Sequence, residues 1–225
     1  MFLREEIAMK TTFESAAPFL PAHRTLNSLR EAAKQCEGCE LYKRATQTVF
    51  GEGVRNAAML IVGEQPGDQE DLTGKPFVGP AGKLLDRALA DAGIERDDVY
   101  VTNAVKHFKW EERGKRRLHA KPSAREVSAC HPWLEAEIAC VKPKLVVCLG
   151  ATAAQSMLGR EFRLTRQRGE ILPGGGAYSI AATVHPSSIL RQFDDDSRHR
   201  AYAEFVADLK KMKTAAATLI KYDRA

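Results

Sequence analysis

The sequence predicts a three-layer α/β/α sandwich around a mostly parallel, four-stranded central sheet. Four short apolar runs rich in Val, Ile and Leu occupy residues 57–62, 99–102, 145–149 and 178–184, the pattern of strands buried on both faces. Helical patterns separate them, and alternating strands and helices imply right-handed crossovers with helices on both faces of a parallel sheet. A chain of 225 residues is long enough to bury one full-sized core.

The helices follow in order. Residues 25–34 form one before the first strand, and residues 81–92 (AGKLLDRALADA) form the next, with Gly93 as a C-terminal stop. Residues 123–139 open on a capping box made by Ser123 and Glu126. Residues 151–158 follow the third strand directly. Finally, residues 198–212 place Tyr202, Phe205, Val206 and Leu209 on one face, the stripe of a helix packed on a sheet. Residues 1–24 read as an N-terminal appendage and residues 25–225 as the domain.

Composition excludes several classes. With 44% hydrophobic and 28% charged residues the chain is too apolar for a disordered protein. It has no run of 18 apolar residues, and the start MFLREEIAMK lacks the layout of a secretory signal, so the expectation is a cytoplasmic monomer with no membrane association. The net charge of +5 is not spread evenly. Residues 106–121 hold seven bases, Lys106, Lys109, Arg113, Lys115, Arg116, Arg117 and Lys121, against two acids, Glu111 and Glu112; elsewhere the signs balance. A loop-like segment that carries the whole excess suggests a polyanion footprint, which makes nucleic acid a candidate partner.

In open α/β sheets, ligands bind beyond the carboxyl ends of the strands. The first strand is followed there by Gly63, Glu64, Gln65, Pro66, Gly67 and Asp68; the second ends on Asn103; the third leads to Gly150 and Thr152; the fourth leads to His185, Pro186, Ser187 and Ser188. Each cluster taken singly is ordinary turn and cap chemistry. Convergence of Glu64, Asn103 and His185 on one rim goes beyond it. The GEQPG turn lacks the Lys-Ser/Thr of a phosphate-binding loop; it suits close backbone approach to a planar ligand beside one carboxylate. Asn103 carries both an amide donor and an acceptor, which match the N3–H and O4 edge of uracil. Cytosine presents the opposite pattern, and unsatisfied buried polar groups would reject it.

Five cysteines in a cytoplasmic chain argue against disulfides. Cys36 and Cys39 have the CxxC spacing of a metal knuckle or a redox pair; their place in a polar stretch before the first strand favours metal. Two further ligands would come from Cys130, Cys140, Cys148 and the histidines. Cys148 lies in the apolar run KLVVCLG and reads as core. Cys130 and Cys140 are ten positions apart on one helix, roughly 80° out of register, which argues against both facing one metal. Cys130 with His107 stays open as a choice.

Three blocks now carry a resemblance. GEQPGDQEDLTGKPFVGPAGKLLDRAL, VYVTNAVKHFK and ATVHPSSILR together resemble the iron-sulfur uracil-DNA glycosylases of family 4, over a span from about Cys36 to the terminal helix. The chain departs from that pattern at Gln65, where the family has Ala, and at His107, where it has Cys. Both departures, with the inserted GKRRLH ending at His119, resemble the X-type subgroup, whose loop histidine bonds covalently to the deoxyribose left when uracil departs. The resemblance implies the uracil-DNA glycosylase fold, a 4Fe-4S cluster held by Cys36, Cys39, His107 and Cys130, and uracil-containing DNA as partner.

On this resemblance Gln65, Asp68 and Asn103 hold the uracil edge. Phe77 offers a stacking face. His185 donates toward the leaving base as its charge grows, His119 attacks C1′ of the sugar, and Glu64 orients or deprotonates His119. Lys115, Arg116 and Arg117 hold phosphates so that the loop closes, and Ser187 and Arg191 contact DNA. The competing expectations are a glycosylase that turns over, with Glu64 activating water, and a metal-knuckle DNA-binding module without chemistry. His131 and His199 are expected to be structural.

Overall fold

The computed structural model describes residues 15–222. Eight strands and eight α-helices alternate as β1 (Glu52–Gly53), β2 (Met59–Gly63), β3 (Val99–Asn103), β4 (Trp110–Arg113), β5 (Arg116–His119), β6 (Leu145–Leu149), β7 (Ile171–Gly176) and β8 (Tyr178–Thr183), with α1 (Leu26–Ala33) before β1. The remaining helices are α2 (Asp68–Thr73), α3 (Pro80–Asp91), α4 (Ala124–Val141), α5 (Ala151–Leu158), α6 (Leu164–Gln167), α7 (Pro186–Leu190) and α8 (Asp195–Tyr222).

The central sheet has six strands, in the order β1-β3-β2-β6-β8-β7, rather than four. The four expected strands are its parallel centre, and β1 and β7 pair antiparallel at the edges. Both edge strands escape a sequence reading for a physical reason. β1 is two exposed residues long, and β7 reads ILPGGG, where Pro and Gly signal a turn but are tolerated on an edge that needs no ladder N–H outward.

Alternate strand residues face opposite layers, as the pleat requires. Met59, Ile61, Val99, Val101 and Val147 pack on Leu85 and Leu89 of α3 and on Phe205, Leu209 and Met212 of α8. Leu60, Val62, Val146, Cys148 and Ile180 face Leu134, Ile138 and Val141 of α4 and Ala153 and Ala154 of α5. Cys148 is fully buried and belongs to the core. A third cluster seats Leu29 and Ala33 of α1 against Trp133 of α4, with Cys36 and Cys130 inside it. No described helix is long and apolar enough to cross a membrane.

The N-terminal segment and the basic segment each have a defined place in the fold. Residues 1–14 of the N-terminal appendage lie outside the described residues, but from residue 15 the segment packs into the domain: Ala16 is buried and its N–H donates to the Ala129 carbonyl at 2.7 Å. The basic segment is not a loop. It is an antiparallel hairpin in which Trp110 faces His119 and Arg113 faces Arg116, turning at Gly114 with φ 60°. Dense charge hides its strand pattern, and its stability comes from what it packs on.

Parallel register brings the strand ends to one level, with Gly63 beside Asn103 and Leu149 beside Thr183. The rim depends on α3 standing close to the chain before it. A Cβ on Gly82 would lie 1.7 Å from the Phe77 carbonyl oxygen, which is backbone and cannot rotate away. Gly82→Ala is therefore expected to lower stability by about 1–3 kcal/mol through overpacking. The reduction should appear as a lower urea midpoint at unchanged m-value; an unchanged midpoint would show that α3 shifts freely.

Candidate functional site

A cleft of about 910 Å³ opens over the carboxyl ends of the parallel strands, and Glu64, Gln65, Phe77, Asn103, His119 and His185 line it. The sequence expectation of convergence holds for all three rim residues, Glu64, Asn103 and His185. Gly63 makes room at the floor. A Cβ there would stand 2.3 Å from Asn103 Oδ1 and 2.7 Å from Phe77 Cζ, so the close packing of a polar amide beside a ring needs glycine. Phe77 has φ 57°, a left-handed conformation that costs energy for a bulky residue. It turns the buried ring onto His185, with centroids 6.4 Å apart and planes 29° apart.

Glu70 was not expected at the site. It is 8% exposed, and its carboxylate accepts from Gly67 N–H at 3.1 Å and Gly79 N–H at 2.8 Å, tying the GEQPGD turn to the start of α3. Gly67-x-x-Glu70 is a capping-box spacing, which is the signal that could have revealed it.

His185 caps α7. Its Nδ1 accepts the Ser187 backbone N–H at 3.2 Å, so that nitrogen holds a lone pair and the proton of the neutral ring sits on Nε2. Burial, then the neighbouring His119 and Arg191, pushes its pKa down to about 4. The ring is thus a neutral hydrogen-bond donor at physiological pH. Ser187 and Arg191 stand at the same mouth, with Arg191 Nη1 donating to Ser187 Oγ at 3.0 Å.

His119 ends β5 and reaches the cleft from the hairpin. Its Nε2 lies 3.5 Å from Glu64 Oε1, and its side chain is 49% exposed. Three contacts fix the hairpin. The Gln65 amide donates to the Lys109 and Ala120 carbonyls at 3.1 and 3.0 Å and accepts from Lys109 N–H at 3.1 Å, gripping both feet. Arg117 lies on the same strand face as His119 and pairs with Asp68 and with the fully buried Asp71, each at 2.6 Å. Its guanidinium also stands 5.5 Å from the Phe108 ring centroid, and Phe108 is tilted against His119 at 6.3 Å.

These contacts give Gln65, Asp68 and Arg117 partners inside the protein. The Gln65 side chain is engaged with hairpin backbone rather than offered to a base edge, and Asp68 and Arg117 hold each other rather than uracil and phosphate. Sequence reasoning missed this because partners 49 residues apart leave no local pattern. Lys115 and Arg116 do stay exposed at the hairpin tip. Lys121, the last of the seven bases, lines the cleft with His119.

Three of the four expected cluster ligands pack beside α1. Cys36 and Cys130 are buried in one cluster with Cys39 packed against it, and burial raises the Cys130 thiol to about 12. Each buried sulfur already receives a donor: Trp133 Nε1 points to Cys36 Sγ and Lys106 N–H to Cys130 Sγ, both at 3.2 Å. Such donors suit metal-bound thiolates. His107 fits the same role. The Thr48 hydroxyl donates to the Ala33 carbonyl at 2.8 Å, so at the 2.9 Å contact His107 Nε2 must be the donor, and Nδ1 is left with a lone pair for a metal. Burial lowers the His107 pKa to about 4 and keeps the ring neutral. Cys140 stands apart, with its thiol toward the Arg24 carbonyl at 3.6 Å. Among the described residues no three His, Cys, Asp or Glu side chains are close enough to grip an ion. The donor chemistry fits a cluster, and the thiols would have to close on it.

The family model of the uracil DNA glycosylase superfamily matches residues 50–210, which contain every cleft residue named above. A type-4 uracil-DNA glycosylase of Thermotoga maritima is 38% identical over 169 residues, covering 75% of this chain and 84% of the relative. One from Archaeoglobus fulgidus is 34% identical over 195 residues, covering 84% and 92%. A type-5 uracil-DNA glycosylase of Pyrobaculum aerophilum is 29% identical over 181 residues, covering 73% and 76%. By the extent of these matches the chain belongs to the uracil DNA glycosylase superfamily.

Proposed function

We propose that this protein excises uracil from DNA and is itself captured in the reaction, with His119 bonded to C1′ of the deoxyribose. One observation carries the covalent part: the His119 imidazole is delivered by a clamped hairpin into the cleft, facing the Glu64 carboxylate at 3.5 Å. A solvated loop histidine would need no such clamp.

The uridine enters the cleft out of the stack or from single-stranded DNA, at a cost of a few kcal/mol. Phe77 and the Asn103 amide receive the base. The N-glycosidic bond breaks with its electron pair leaving on uracil, and the neutral His185 Nε2–H stabilises that charge without itself having to be ionised. The sugar becomes oxocarbenium-like. A lone pair of the His119 ring then forms the bond to C1′, which leaves a positively charged imidazole; Glu64 stabilises it and is placed to take the remaining ring proton. Gln65, Asp68, Asp71 and Arg117 act as positioning residues, since they hold the hairpin and touch no reacting atom. Lys115, Arg116, Ser187 and Arg191 are placed to meet phosphates. All of these groups come from one chain, so a monomer suffices.

Cys36, Cys39, His107 and Cys130 would hold the 4Fe-4S cluster. Nothing in the excision changes oxidation state, so the cluster when bound would brace α1 and α4 against the sheet.

A denaturing gel of protein mixed with uracil-containing single-stranded DNA should show a heat-stable shifted band. His119→Ser should abolish the band and can restore release of free uracil, because water then fits the vacated place. Free uracil with no shifted band from the unaltered protein would instead establish a turnover glycosylase.

Arg117→Lys keeps a cation for the buried Asp71 but loses the planar fork. It should leave the protein folded and slow band formation by roughly tenfold to a hundredfold, as expected for a reacting group misplaced by about 1 Å. An unchanged single-turnover rate would remove Arg117 from the positioning set.

The purified protein should be brown, with broad visible absorbance and about four irons per chain. His107→Ala should lower iron content well below that of the unaltered protein. A colourless, zinc-loaded preparation would overturn the ligand set.

A further inference from the structure

A second groove of about 420 Å³ lies beside the cleft, between α4 and α5, and shares Lys121 and Thr152 with it as common walls. On one side stand Val127, Ser128 and His131; on the other stand Thr152, Gln155 and Ser156. With Ala124 the first set runs i, i+3, i+4, i+7 and the second runs i, i+3, i+4, so each wall is one face of a helix. The eight residues of α5 rise ~12 Å, and Arg160 marks the far end just past the helix.

The lining chemistry is that of a nucleotide site. Lys121 and Arg160 are exposed cations, none of the described residues lining the groove is a carboxylate, and Val127 and Pro132 give apolar surface against which a sugar or base can lie. His131 Nε2 stands 3.4 Å from Glu135 Oε1, one turn along α4. Gln155 is already held by the Phe162 carbonyl at 3.2 Å, which leaves Lys121, Ser128, Thr152 and Arg160 as donors for phosphate. A volume of this size lies at the small end of ligand pockets.

A uridine in the cleft is part of a polymer, and its strand must leave past the cleft walls on both sides. We propose that the groove between α4 and α5 is a second subsite, which takes the phosphate and nucleotide flanking the uridine on one side of single-stranded DNA. This rests on the cleft being the uridine site. The groove then sets affinity and strand length rather than chemistry, because it touches no reacting atom.

The test uses the full chain and single strands that carry a 2′-fluoro-deoxyuridine, which resists cleavage. One strand has the uridine in the middle, one has it at the 5′ end, and one has it at the 3′ end. The double variant Ser128→Ala, Arg160→Ala should bind the central-uridine strand about tenfold more weakly, with a salt slope lower by about one. At saturating strand with ordinary deoxyuridine, its rate of uracil loss should match the unaltered protein. On one of the two end-uridine strands, the one lacking the groove-side flank, variant and unaltered protein should bind equally. Equal binding of the central-uridine strand at low salt would overturn the proposal, as would the same loss on both end-uridine strands, which is diffuse attraction. If the unaltered protein binds thymine strands as well as uridine strands, the reading of the cleft fails, whereas a flank-dependent loss in the variant would still support the groove.

Discussion

A buried ion pair fixes the geometry on which both the cleft and the proposed cluster rest. Lys106 is 1% exposed and Glu137 of α4 is fully buried, and they meet at 2.5 Å. Two charges removed from water are costly unless every polar atom around them is satisfied. Glu137 also accepts from Gly51 N–H, the Tyr100 hydroxyl and the Thr102 hydroxyl at 2.9–3.0 Å. Lys106 Nζ donates in addition to Thr102 Oγ1 at 2.6 Å and to the Asn103 carbonyl at 2.8 Å. Burial and the Glu137 charge hold the Tyr100 phenol well above its usual range, so it stays a donor. The network pins β3, α4 and the chain just before β1 to one another at the end of the strand that carries Asn103.

The same short segment connects the two sites. Lys106 anchors Asn103 with its side chain, donates to Cys130 Sγ with its N–H, and accepts Val49 N–H at 2.8 Å with its carbonyl. His107 follows it, and the hairpin that carries His119 begins three residues later. Losing one member of a buried pair leaves the other charged and unpartnered, an error of about 3–5 kcal/mol. The strand end that carries Asn103, the cluster of cysteines and the hairpin that carries His119 are therefore positioned from one point.

The local charge excess takes on a different meaning in three dimensions. Of the seven bases in residues 106–121, Lys106 is held by Glu137, Lys109 by Glu126 at 2.8 Å, and Arg117 by Asp68 and Asp71. Arg113, Lys115, Arg116 and Lys121 remain exposed. The surplus counted along the chain thus divides into internal fasteners and a smaller exposed set, three at the hairpin tip and Lys121 at the cleft. Only the second group is available to a polyanion.

Strand and helix identity in the sheet's centre, the capping box at Ser123 and the convergence of Glu64, Asn103 and His185 were all legible along the chain. Each follows from local periodicity or from the rule that parallel strands share one ligand-binding edge. The edge strands were illegible because Gly and Pro there obey edge chemistry. The roles of Gln65, Asp68 and Arg117 were illegible for a different reason: a side chain's residue type states what it can bond, and not which of two candidate partners it meets. By itself the sequence determined the layered α/β class, the family resemblance and the inventory of reactive groups. Only the tertiary structure decided which of those groups face the cleft and which hold the hairpin, because hydrogen-bond and ion-pair partners tens of residues apart are chosen by packing.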